Sequence, residues 1–195
     1  MSEFATLVRG NGMPKTDFRE NGVPAIHYGQ IYTHYGSFAT QTKSFVSRET
    51  ANKLAKVEPG DVVITNTSEN LADVGKAVAW LGEETAVTGG HATVIKHEQN
   101  PRYLSYYFQS AGFHQAKKKH ATGTKVIDVS ARSLGQIVIP IPSLDEQDRI
   151  VEILDNFEAL VGDLKFGLPA EMNARRQQYE YYRDKLLTFK ELGAP

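Results

Sequence analysis

The sequence predicts an α+β chain. A globular, strand-rich domain with short helices fills residues 1–142, and long coiled-coil-like helices fill residues 143–195. Two patterns carry this division. Up to Pro142, short β-branched runs alternate with Gly, Pro, Asn and Asp turn signals. From Ser143 onward, apolar residues recur every three or four positions, the period of a helix face.

The strand-rich part divides at its turns. Asn21-Gly22 precedes Val23-Pro24-Ala25-Ile26-His27-Tyr28, read as a strand. Ser47 can cap a short helix running through Val57. Glu58-Pro59-Gly60-Asp61 is a turn before the strand Val62-Val63-Ile64-Thr65, and Ala77–Trp80 and Ala92–Ile95 read as further strands. Asn100-Pro101 starts a helix, with Asn as cap and Pro at the first helical position. Tyr103, Leu104, Tyr107 and Phe108 then share one face, read as core. This helix is expected to stop near Gly112, and Gln136 to Ile141 is read as a last strand closed by Pro140 and Pro142.

Ser143-Leu144-Asp145-Glu146 has the form of a capping box, in which Ser and Glu satisfy each other's free backbone donors. Ile150, Ile153, Phe157, Leu160 and Leu164 follow as one stripe. Gly167 ends that helix and Pro169 restarts a second, whose seam is Met172, Arg175, Tyr179, Tyr182, Leu186 and Phe189. The seam can fold back on the first helix or meet another chain. Tyr and Arg suit an interface better than a small core, so another chain or a partner domain is expected.

Composition narrows the function. With 41% hydrophobic and 23% charged residues, the chain fits a soluble globular protein. No stretch approaches the roughly 20 apolar residues of a membrane helix, and Met1 to Gly10 does not look like a secretory signal. The absence of cysteine excludes disulfides and thiolate metal sites and suits a reducing cytoplasm. The net charge of −1 conceals an asymmetry: residues 1–142 hold 15 basic and 12 acidic side chains, and residues 143–195 hold 7 and 11. Between Arg102 and Arg132 there are six basic residues against Asp128 alone. A local positive patch on a neutral chain suits a nucleic-acid reader with a separate protein-docking end, and equally suits a solvated lysine-rich face.

Enzyme signatures are missing. The six histidines, His27, His34, His91, His97, His114 and His120, show no ligand spacing with a third ligand nearby. There is no HExxH, nucleophile elbow, P-loop or complete dinucleotide fingerprint. Asn100-Pro101-Arg102-Tyr103 resembles the Asn-Pro-Pro-Tyr motif of DNA amino-methyltransferases. Arg102 replaces its second proline and no glycine-rich cofactor loop precedes it, so the helix-cap reading is preferred. Asp163-Leu164-Lys165 has a nuclease-like spacing but falls on the apolar-stripe helix.

Two long motifs carry a resemblance. Ile139-Pro140-Ile141-Pro142-Ser143-Leu144-Asp145-Glu146-Gln147-Asp148-Arg149-Ile150-Val151 resembles the start of the helical region of type I restriction-modification specificity subunits. Gly167-Leu168-Pro169-Ala170-Glu171 and Gln178 to Phe189 resemble its end. Arg9-Gly10-Asn11-Gly12, Gly22 to Ile26, Pro59 to Val63 and Gly123-Thr124-Lys125 resemble parts of the family's target-recognition domain, so nearly the whole chain is covered.

The resemblance implies a non-catalytic, cytoplasmic subunit that reads one half of a split site in double-stranded DNA. Its helices would act as a ruler and dock a DNA modification (methyltransferase) subunit and a restriction subunit. S-adenosylmethionine, ATP and Mg would belong to those partners and none to this chain. A complete subunit has two recognition domains and two helical regions, whereas this chain holds one of each. As a half subunit or a fragment, it is expected to homodimerise through Ile153, Phe157, Leu160, Leu164, Tyr179, Tyr182, Leu186 and Phe189 and to read a palindromic split site.

Phosphate contacts are expected from Lys117, Lys118, Lys119, Gly123, Thr124, Lys125 and Arg132. Base reading is assigned to three polar sets: Gln30, Tyr32 and His34; Asn66, Ser68 and Asn70; and His91. The alternatives are a stand-alone DNA-binding regulator and a solitary methyltransferase built on Asn100 to Tyr103.

Overall fold

The computed structural model describes residues 1–162 and 169–189. In chain order the elements are β1 (Ala5–Arg9), a 3₁₀ turn (Lys15–Asp17), β2 (Val23–Ile26), α1 (Tyr28–Thr33), β3 (Phe38–Ala39), β4 (Ser44–Val46) and α2 (Arg48–Asn52). Next come β5 (Ala55–Val57), β6 (Val62–Thr65), β7 (Thr67–Ser68), β8 (Ala77–Trp80), β9 (Ala86–Thr88) and β10 (Ala92–His97). The helical end holds α3 (Pro101–Tyr107), α4 (Ala111–Lys118), the short β11 (Ile127–Asp128), α5 (Ala131–Gln136), α6 (Leu144–Gly162) and α7 (Pro169–Leu186).

Three layers explain why the central strands read as unbroken apolar runs. A five-stranded sheet in the order β1-β10-β6-β8-β3 lies between a four-stranded sheet, β4-β2-β9-β5, and the helices. Side chains alternate along each strand. Val62 and Ile64 of β6 therefore join Tyr103, Leu104 and Phe113 on the helical side, while Val63 joins Ile26, Val78 and Trp80 between the sheets. With both faces covered, every residue of β6 and β8 is buried.

The helical core does not stop where the composition changes. Ile150, Val151 and Leu154 of α6, and Leu187 just beyond α7, lie in the same cluster as Tyr103 and Leu134. α6 thus packs onto the sheet domain through α3 with Ile150, Val151 and Leu154, of which the expected stripe holds only Ile150, and α7 packs on α6.

Several expected boundaries shift. The strand from Val23 ends at Ile26, because His27 caps α1 by accepting the Gly29 N–H. Ser47 caps a helix as expected, accepting from Thr50 N–H at 3.1 Å, but α2 stops at Asn52 and 55–57 is a strand. The Asn100 helix ends at Tyr107, and Ser110 caps a second helix that contains Gly112. Residues 137–142 form no strand. Ile137 and Ile139 are buried and Val138 is 85% exposed, as alternation demands, but Pro140 and Pro142 carry no N–H for a ladder. The capping box does not close either: both Glu146 carboxylate oxygens are held by Arg149 at 2.7 and 2.8 Å.

Candidate nucleic-acid interface

Beyond β6 the chain leaves the central sheet. β7 turns away to pair with β11, with Thr67 opposite Asp128 and Ser68 opposite Ile127. Asn66 is the pivot of this departure and is fully buried. Its Nδ2 donates to Val129 O (2.7 Å), its Oδ1 accepts from Thr93 Oγ1 (2.8 Å), and its backbone N–H donates to His91 O (2.8 Å). A fully buried side chain tied at both ends of its amide cannot reach a base, so Asn66 is corrected from base reader to framework.

β11 is one arm of a small hairpin. Thr122 and Asp128 exchange backbone hydrogen bonds at 2.9 and 2.8 Å. Gly123 makes the bend with φ +94°, where a Cβ would meet Val126 O at 2.0 Å. Only glycine fits there. Thr124 and Lys125 are thereby held exposed at the tip. α4 ends just before the hairpin with Lys118 and Lys119 exposed, and α5 begins just after it with Arg132 exposed.

Lys117 is the exception in the lysine run and a second correction. It points inward, 3% exposed, and donates to Ala72 O and Val74 O. Burial pushes its ammonium down to about 8. It braces the loop before Gly75, and a phosphate cannot reach it.

Arg9, at the end of β1, joins the hairpin to the Gly89–His91 turn. Its Nε donates to Gly90 O (3.4 Å) and its Nη2 lies 3.6 Å from Asp128 Oδ2, with the side chain 43% exposed. His91 is exposed beside it. The His91 Nδ1 lies 2.8 Å from Thr67 Oγ1, and its ring centroid lies 4.7 Å from that of Tyr28. One rim therefore carries Arg9, Thr67, Ser68, His91 and the hairpin tip. Arg9, Thr67 and Tyr28 meet here through pairings between distant strands, which no local sequence pattern announces.

The remaining polar sets behave differently. Gln30 and Tyr32 lie in α1, where a strand-like alternation was expected. Gln30 Nε2 donates to Ser44 Oγ (2.6 Å) and Tyr32 OH donates to Thr67 O (2.7 Å). Burial raises the Tyr32 phenol to about 12, so it stays protonated as a prop beneath β7. Both are corrected to supports, while His34 remains exposed at the end of α1. Asn70 is exposed, but its amide closes a turn onto Asp73 through bonds of 2.7 and 2.8 Å. Ser68 Oγ accepts weakly from Asn70 N–H at 3.4 Å and is otherwise available.

Part of the helical seam is met within the chain. Phe157 and Tyr182 stack at 5.5 Å and 14° between ring planes, and Tyr179 and Leu186 pack on the main core. These contacts are made within one chain, and Tyr182 stays 37% exposed beside Phe157. Ile153 is half-buried, while Phe189 at 39% and Tyr181 at 61% are exposed. Leu160 lies in α6 and Leu164 falls outside the described residues.

The Asn100 motif is also accounted for. Asn100 Oδ1 accepts the N–H groups of Arg102 and Tyr103, and Nδ2 donates to Asp148 Oδ1 (2.7 Å). The Oδ1 that would accept from a target amino group already accepts two backbone N–H groups. Among the described residues no three His, Asp or Glu side chains gather as a metal site, and no helix is long and apolar enough to cross a membrane.

A family model described as the type I restriction modification DNA specificity domain matches residues 1–174. The specificity subunit of the EcoR124I/EcoR124II type I restriction enzyme of Escherichia coli is 29% identical over 92% of this chain and 45% of its own length. The StySPI specificity subunit of Salmonella potsdam is 27% identical over 86% and 37%. The HsdS subunit from Thermoanaerobacter tengcongensis shares the fold, with a TM-score of 0.59 at 20% identity over 95% of this chain and 43% of that one. The chain thus spans less than half the length of these relatives.

Proposed function

The chain belongs to the type I restriction modification DNA specificity family, and on that premise we propose that it is a non-catalytic reader of double-stranded DNA that carries modification and restriction subunits to their site. The family match over residues 1–174, which takes in both the sheet domain and α6, carries this reading. The rim around β7, β11 and the Gly89–His91 turn is its natural DNA-facing surface. Exposed Lys118, Lys119, Lys125 and Arg132 surround the hairpin, and Gly123 and Thr124 bring backbone and hydroxyl donors to its tip. These groups would contact phosphates and fix register. Arg9, Ser68, Thr67 and His91, set between them, would read base edges.

Methyl transfer, cleavage and translocation, with S-adenosylmethionine, ATP and Mg, would belong to the partner subunits, and the assembly would work in the cytoplasm. Because the chain covers 45% of the EcoR124I/EcoR124II subunit, two copies restore about one full-length reader. A two-fold pair of identical halves matches a palindromic split site. Tyr181 on α7 and Phe189 just beyond it are exposed and favour attachment there.

The test is a methylome. The chain is co-expressed with the modification subunit encoded beside it, in a host lacking DNA methylation, and methyladenine is mapped by single-molecule sequencing. A split palindromic motif is the expected result. A soluble complex that adds no methylation contradicts the reading of the chain as a sufficient half.

A further inference from the structure

The segment that resembled a methyltransferase motif is instead committed to α6. Asn100 N–H donates to Gln147 Oε1 (3.0 Å), and its side chain reaches Asp148. Gln147 is fully buried, and its Nε2 donates to Gln99 Oε1 and Pro142 O, both at 2.8 Å. Tyr103 OH holds the approach to the helix by donating to Pro140 O (2.9 Å). Further along α6, Arg102 Nη2 pairs with Asp155 Oδ1 at 2.6 Å, its guanidinium 4.1 Å from the Phe38 ring centroid. Tyr106 OH meets Asp155 Oδ1 and Glu158 Oε2 at 2.6 and 2.8 Å.

One attachment point lets a rigid helix swing; two do not. Asp148 and Asp155 lie roughly 10 Å apart along α6 at about 1.5 Å per residue. The apolar contacts of Ile150, Val151 and Leu154 lie between them. Apolar burial is non-directional and tolerates small rotations, whereas hydrogen bonds and ion pairs weaken quickly with misalignment. The polar pairs are therefore what sets the direction of the helix. The lever is long: α6 has 19 residues, about 28 Å at that rise. A swing of about 10° would move its far end about 5 Å, more than the roughly 3.4 Å of helix axis that each base pair occupies.

We propose that Asn100, Arg102 and Tyr106, with Gln147, Asp148 and Asp155, form a positioning joint that sets the angle between the recognition domain and its helices. In a dimer the joint thereby holds the two recognition domains to one half-site spacing. The spacing claim rests on the reading of the chain as a dimeric DNA reader; the joint itself does not.

The chain has no cysteine, so Lys43→Cys on the recognition domain and Glu152→Cys on α6 give two unique spin-label sites, both exposed. Labelled chain is diluted in excess unlabelled chain, and the distance distribution is measured by pulsed electron resonance. A single narrow distance is expected for the parent. Asp148→Ala with Asp155→Ala leaves the recognition domain intact and should broaden the distribution at least twofold, while circular dichroism stays unchanged. Asp155→Asn keeps the side-chain volume, serves if the double variant does not fold, and should broaden it less. An unchanged width in the folded variant overturns the joint.

The second arm selects binding sites from random DNA with the full chain. The parent should enrich one spacer length, and the variant should enrich the same half-site bases over several lengths. A variant with the parent's single spacing overturns the spacing claim. A parent that enriches no split site refutes the dimeric reading and with it the spacing claim, while the distance measurement still decides the joint.

Discussion

The rim around β7 and β11 and the joint between α3 and α6 are both rich in polar side chains, yet they spend them in opposite ways. At the joint, Asn100, Gln147 and Tyr106 turn their polar groups to named partners inside the protein. At the rim, Lys125 and Arg132 stand in water, and Arg9 makes only long contacts of 3.4 and 3.6 Å. Polar groups fixed inside the fold define its shape, whereas groups left to water are free to exchange it for phosphate or base. Lys117 and Lys118 make the same contrast within one helix, one braced on two carbonyls and the other exposed.

The largest expected effect comes from removing a committed group. Lys117→Met leaves the carbonyls of Ala72 and Val74 without their donor, and should cost roughly 2–4 kcal/mol of stability by denaturant titration. Its pH dependence sharpens the point. Folded Lys117 releases its proton near 8, whereas the unfolded lysine keeps one to about 10.5. The unfolded state binds more protons in that window, so the parent gains stability as pH rises through it. The margin of parent over Lys117→Met should therefore widen from pH 8 to 10.5. A margin that stays flat would place the ammonium in solvent.

Gly123→Ala comes next. The positive φ and the 2.0 Å approach to Val126 O predict a loss of about 1–3 kcal/mol. DNA affinity should fall with it, because the hairpin presents Thr124 and Lys125. Unchanged affinity alongside reduced stability would separate the hairpin from DNA.

At the rim itself, Arg9→Ala and His91→Ala should each relax the preference at one base position by about 1–3 kcal/mol in competition binding. A uniform loss across all sequences would reassign them to phosphate. The smallest effect on stability belongs to Lys118→Ala, Lys125→Ala and Arg132→Ala, each within about 0.5 kcal/mol. Each should still lower the steepness of the salt dependence of binding by about 0.9. A salt slope equal to the parent's would remove that residue from the contact set.

Much of the framework is legible in the sequence because it is local. Val62–Thr65, Ala77–Trp80 and Ala92–Ile95 announce buried strands through β-branched and small apolar runs between turns, and Asn100-Pro101 announces a helix start. α4 is harder to see because Gly112 looks like a stop. It sits in the first turn behind the Ser110 cap, and the buried Phe113 and Lys117 at helical spacing were the signal available. The segment 137–142 shows a strand's alternation without a strand's partners.

The candidate site is less legible, because its members differ only in what lies across from them. Asn66 and Asn70 are the same residue type in the same stretch. Only the buried pairing with Val129 and Thr93 makes the first a pivot. Arg9 enters the rim because β1 pairs with β10 and so ends beside Gly90, a match across distant positions. The helical seam was visible as a stripe, but whether Tyr182 meets Phe157 of its own chain or another surface is decided by the fold.

The most direct test of the account is amide hydrogen exchange on the chain with and without its selected DNA. New protection is expected at residues 67–68, 89–91 and 122–128, with 81–84 at the other end of β8 unchanged. Protection confined to 40–45 and 81–84, with the hairpin exchanging as in the free chain, would contradict it.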